Sequence, residues 1–124
     1  MGISLHVQDD QGTICAAISR ELVQLHKRLT GRGPKLVRTY IHEASVVVLM
    51  GDGHTPLEEG LRVAGRGREV SQARLDLFEL HRDEFIEVVD RHLGRPVIGF
   101  MTGSQQEPSL IAHVFVLGGG SSVP

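Results

Sequence analysis

A single cysteine, Cys15, in 124 residues excludes a disulfide framework and any multi-cysteine metal site within one chain. Tryptophan is absent, and the aromatics are only Tyr40, Phe78, Phe85, Phe100 and Phe115, too few for a base-stacking platform. Neither sign of charge dominates. Thirteen basic against 15 acidic side chains give a formal net charge of −2, so no bulk positive field awaits nucleic acid or anionic lipid. The longest apolar run, Ala44 to Met50 interrupted by Ser45, falls far short of the roughly 20 residues that span a bilayer. The opening Met1-Gly2-Ile3-Ser4-Leu5-His6 lacks the basic and apolar regions of a secretory signal and has His6 where a myristoylation motif needs Ser or Thr. A cytoplasmic location, no direct membrane insertion and no nucleic-acid partner are the resulting expectations.

What remains is one domain's worth of chain with the apolar and charged fractions of an ordinary globule. Ile14, Ile18, Leu22, Leu25 and Leu29 recur at helical spacing, with Asp9, Asp10 or Thr13 as candidate caps, Gly31 fitting the stop and Pro34 forbidding resumption. Lys35 to His42 alternates, with Leu36, Arg38, Tyr40 and His42 on one face and Val37, Thr39 and Ile41 on the other; Glu43-Ala44-Ser45 turns the chain and Val46 to Met50 returns as a more buried strand. After the turn Gly51-Asp52-Gly53-His54, Thr55-Pro56-Leu57-Glu58 combines an N-cap, a first-turn proline and a capping box; the helix is short because Gly60 weakens it and Gly65-Arg66-Gly67 breaks it. A long helix follows from about Arg68 to Leu93, on a stripe through Val70, Ala73, Leu77, Leu80 or His81, Glu84 or Phe85, Val88 or Val89 and Leu93, ending at Gly94. Val97 to Thr102 and Leu110 to Leu117 form a second pair of strands joined by a long polar loop over 103–109.

Both Leu29-Thr30-Gly31-Arg32-Gly33-Pro34 and Leu93-Gly94-Arg95-Pro96 end a helix with Gly-Arg, then Pro, then a hairpin. The pattern predicts an α+β fold of order helix–hairpin–short helix–long helix–hairpin, with a four-stranded, mainly antiparallel sheet and helices packed on one face. Residues 1–11 are expected to form an N-terminal arm, 12–117 a single domain and 118–124 a flexible tail.

Gly31-Arg32-Gly33-Pro34-Lys35, the strands Val37 to Ile41 and Val46 to Leu49, Leu57-Glu58 after Thr55-Pro56, the Gly67-Arg68 break and the closing Val114 to Leu117 together resemble the MpsC-like domain family over about residues 12–117. The resemblance implies a small accessory of a sodium-translocating, membrane-potential-generating or bicarbonate-related system. Where the family pattern has Ser-Asp after the third strand, this chain has Thr102-Gly103-Ser104.

Gly65, Arg66, Gly67 and Arg68 lead into a helix N-terminus and form the candidate anion site, for bicarbonate, phosphate or a nucleotide. Gly31, Arg32, Gly33, Pro34 and Arg38 are the candidate interaction residues. Seven scattered histidines (6, 26, 42, 54, 81, 92 and 113) show no metal motif, though His81 and Glu84 lie one turn apart. Cys15 reads as a small apolar residue, Ser19, Ser45 and Ser104 lack a nucleophile context, and Asp83, Glu84, Glu87 and Asp90 read as a solvated face compensated by Arg74, Arg82 and Arg91. No catalytic residue, metal or cofactor is therefore predicted. The expectation is a non-enzymatic, homodimeric binding or regulatory module with a protein partner, the dimer forming by pairing of exposed sheet edges; the alternatives are an anion sensor at 65–68 and an enzyme of unrecognised type.

Overall fold

A computed structural model describes the backbone of residues 2–51 and 53–119, and side chains from residue 11 onward. Helix α1 (Gly2–Thr30) leads into strands β1 (Leu36–His42) and β2 (Ser45–Gly51). Helices α2 (Pro56–Val63), α3 (Gly67–Leu80) and α4 (Arg82–Leu93) follow, and β3 (Val97–Gln106) and β4 (Ser109–Leu117) complete the chain. The sheet order is β1-β2-β4-β3, antiparallel throughout. This is the anticipated α+β architecture, and the second strands of the two hairpins pair at its centre.

The two helix–hairpin units use the same stop. Gly31 at φ +87° and Gly94 at φ +64° take the left-handed conformation that only glycine adopts without strain. Their amides donate to the carbonyls of Lys27 and Asp90. The capping box forms as the sequence dictates: the Thr55 hydroxyl accepts from the Glu58 amide at 3.2 Å, and the Glu58 carboxylate accepts from the Thr55 amide at 2.9 Å.

Four expectations are corrected. Helix α1 is helical from Gly2, so Asp9, Asp10 and Thr13 do not start it; no proline interrupts residues 3–13, and one glycine, Gly12, costs a helix only about 1 kcal/mol. The long helix is two helices, broken at His81 (φ −108°, ψ 24°). Their buried residues are Val70, Arg74 and Phe78, then Phe85, Val88 and Val89, whereas Ala73 and Leu80 are exposed. The stripe was displaced because its second member is an arginine. The third correction is the 103–109 loop. Residues 103–106 continue β3, and the connection shrinks to Glu107-Pro108. Finally, Thr102-Gly103-Ser104 lies inside β3 rather than after it. The turn residue Asp52 and the tail residues 120–124 lie outside the described residues.

Helices α1, α3 and α4 cover one face of the sheet. The core joins Ile18, Leu22 and Leu25 to Val46, Val48 and Met50, with Phe78, Phe85, Phe100 and Phe115 at its centre. Two histidines are fully buried there: His26 rests 5.2 Å from the Phe78 ring, and His113 is surrounded by Phe78, Phe85 and Phe100. Burial, then the charge of Arg74, pushes the His26 pKa down to about 4. Burial, then His26, pushes that of His113 down to about 3. Neither His113 nitrogen meets a hydrogen-bond partner among the described residues.

Both imidazoles are therefore neutral when folded, while the unfolded chain takes up protons below about pH 6.5. Because the unfolded state binds more protons, stability is full above that pH and declines as pH falls toward the folded values near 4 and 3. Between pH 7 and 5 the expected loss is about 2 kcal/mol for each histidine. Urea denaturation of His113→Leu over the same interval should show about half the wild-type slope; an unchanged slope contradicts the assignment.

Candidate functional site

The residues singled out from sequence fall in three separate places. Gly31 to Pro34 close α1 and pack against the loop before α2, where a Cβ on Gly53 would lie 3.1 Å from Pro34 Cα. Arg32 borders a hollow of about 330 Å3 with His54, Thr55, Pro56 and Glu59. Gly65 and Arg66 link α2 to α3, whose first residues are Gly67 and Arg68, with Gly65 at φ +82° and a Cβ on Gly67 placed 3.1 Å from the Gln106 side chain. The Arg66 guanidinium is held by Glu69 through several hydrogen bonds, so an anion arriving at this turn competes with a carboxylate. Arg68 is exposed.

Arg38 lies elsewhere again, on β1, opposite Leu49 of β2, facing away from the helices. His81 pairs with Glu84 at 2.6 Å. Among the described residues, no three of His, Cys, Asp or Glu gather to hold a metal ion. Cys15 is partly exposed, and burial raises its thiol pKa, which lowers its nucleophilic fraction. The groove between α1 and α4, about 640 Å3, is lined by charges of both signs that largely answer one another: Arg28 pairs with Glu84 at 2.9 Å, and Arg91 with Glu21 and Glu87. The hydrogen bond from His92, with Arg91 beside it, lowers the Glu21 pKa.

Two features were missed from sequence. Arg74, read there as a surface counter-charge, is 3% exposed and grips Glu58 through Nε at 2.6 Å and Nη2 at 2.7 Å, while Nη2 also donates to the Gly53 carbonyl at 2.7 Å. Burial acts to raise the Glu58 pKa, but the Arg74 and Thr55 hydrogen bonds outweigh it and hold the carboxyl below its usual range. One carboxylate thus caps α2 and neutralises α3. The signal was present in Glu58, whose role as third residue of the capping box fixed its position.

The second feature is the sheet's outer face. Leu36, Tyr40, Val47, Leu49, Met101, Leu110, Ala112, Val114 and Val116 all point away from the helix layer. Five of these are exposed large apolar residues: Leu36 at 65%, Met101 at 58%, Tyr40 at 52%, and Leu49 and Leu110 at 42%. The four strands contain one formally charged residue, Arg38, and no acidic one. A contiguous apolar surface of this kind marks an interaction site in a folded protein. Central strands of an antiparallel sheet with one wet face alternate polar and apolar. Here β2 and β4 are apolar on both faces, the pattern of strands covered on both sides.

A family model described as Na+-translocating membrane potential-generating system (MpsC) matches residues 10–119. No curated protein and no solved structure gives a significant match. No helix among the described residues is long and apolar enough to cross a membrane.

Replacing Glu58 with Leu leaves the Arg74 guanidinium buried without its counter-charge and is expected to cost about 3 to 5 kcal/mol. The double replacement Glu58→Leu with Arg74→Leu should recover at least half of that, as read from urea denaturation midpoints. A double variant as unstable as the sum of the singles contradicts the buried-pair account.

Proposed function

The chain belongs to the MpsC family, and from that premise we propose that it is a non-enzymatic binding and regulatory module, accessory to a sodium-translocating membrane system, that acts by docking through the outer face of its sheet. One observation carries the reading: nine apolar side chains spread over all four strands stand on the side the helices leave uncovered. Such a surface gains free energy by leaving water, and its near-absence of charge means that burial demands little desolvation of ionised groups. Arg38, on the edge strand β1, keeps its charged head at the margin of this face, where it can stay in water. Helices α2, α3 and α4 carry nine of the 15 acidic residues, which keeps the molecule dispersed on its other side.

The test is made in a host carrying the sodium-translocating system and lacking this chain. Wild-type chain should restore sodium-dependent membrane potential, and Leu49→Glu should fail to do so at equal levels of folded protein. Full restoration by Leu49→Glu contradicts docking through this face.

A further inference from the structure

We infer that the outer face is occupied by a second copy of this chain, the two sheets stacking face to face about a two-fold axis that runs along the strands between β2 and β4. The inference rests on the docking reading above and names its partner. Such an axis reverses the strand order while keeping each cross-strand row in place, so that β1 lies over β3 of the copy and β2 over β4.

The rows defined by the register then complement themselves. In the row Arg38–Leu49–Ala112–Gly103, Leu49 meets Ala112 of the second copy and Arg38 meets Gly103. In the rows on either side, Leu110 falls over Gly51 and Leu36 over Gln105, and Val116 falls over Ser45 and His42 over Gly99. In the middle row, Tyr40–Val47–Val114–Met101, Val47 meets Val114 and Tyr40 meets Met101. Large side chains thus stand over small ones at Leu49/Ala112, Arg38/Gly103, Leu110/Gly51, Val116/Ser45 and His42/Gly99, as interdigitating sheet faces require, while the outer strands pair large with large at Tyr40/Met101 and Leu36/Gln105. The hollow of about 300 Å3 bordered by Leu49, Gly103, Leu110 and Ala112 is part of this relief.

Charge agrees with the same axis. Arg38 is the one formal charge on the four strands, and the rotation sends the two copies of it to opposite edges of the stack, over the bare Cα of Gly103. With no acidic residue on the strands, an acidic partner surface has only one cation to meet, whereas a second copy meets an apolar centre and leaves Arg38 at the margin of the stack. The extent is of the order that a small specific interface needs. Four strands about 4.8 Å apart, with roughly seven residues each at about 3.4 Å, make a footprint near 450 Å2 before side-chain relief is counted. Covering this relief on both copies approaches the roughly 1,200 Å2 at which specific interfaces begin.

Sedimentation equilibrium of the full chain over the micromolar to submillimolar range decides the matter. Wild type should sediment at twice 13.6 kDa, and Leu49→Glu should raise the dimer dissociation constant by at least about 100-fold, the effect of a charge in the centre of an apolar interface. Met101→Glu, at a more exposed position, is the second variant should Leu49→Glu fail to fold, with circular dichroism as the control. A monomeric wild type throughout the range overturns the proposal, as does a dimer unaffected by both variants, which places the contact at the sheet edges. A monomer that instead co-sediments with phosphatidylglycerol vesicles overturns it in favour of a lipid surface. If wild type is monomeric while Leu49→Glu still abolishes the sodium-dependent potential, the second copy is wrong and docking through this face stands.

Discussion

An antiparallel sheet has two faces, and this chain supplies helices for one. The character of both faces follows from that imbalance. Helices α1, α3 and α4 pack their stripes on the inner face, where the central aromatic cluster excludes water completely enough to hold two histidines neutral. The outer face has no such layer, yet β2 and β4 carry as many branched apolar residues there as within. Valines at 47, 114 and 116 gain nothing from facing solvent, and their β-branched side chains suit a pleated surface that is packed from above. A sheet apolar on both sides is stable when it forms the middle layer of something larger.

The polar groups inside the domain serve to place the elements. Arg74 reaches from α3 to Glu58 on α2 and to the carbonyl of Gly53, at the junction between the first hairpin and the helices. The short helix α2 has no buried residue of its own, so this clamp and the capping box locate it. The histidines act differently. Packed against phenylalanines, they supply ring area to the core, and their burial, which disfavours the charged form, is what ties folding to pH.

Most of this organisation was legible in the residues. The capping box, the glycine stops at 31 and 94 and the alternation of β1 each rest on a local rule that tertiary structure has no reason to override, and all three appear where the chain places them. Helix phase was the failure. A helical stripe is found by looking for apolar residues, and Arg74 occupies a core position, so the pattern slid by one residue onto Ala73 and Leu80 and passed over Phe78. The extension of β3 through Gly103 to Gln106 was hidden for a related reason: its small and polar residues read as a loop, while cross-strand pairing with β4 made them a strand. The candidate surface was half visible. Alternation puts Leu36, Arg38 and Tyr40 on one face, but the adjoining run Val46 to Met50 reads only as a more buried strand, because an unbroken apolar run says that both faces are covered without saying by what. The 65–68 turn was visible as a motif, though not the engagement of Arg66 by Glu69.

The most direct measurement is a set of isotope-filtered nuclear Overhauser contacts in an equimolar mixture of labelled and unlabelled chain. A second copy stacked on the outer face predicts intermolecular contacts between the methyls of Leu49 and Ala112 and between those of Val47 and Val114. Intermolecular contacts confined to β1 or β3, or none at concentrations where the chain should be paired, would contradict it.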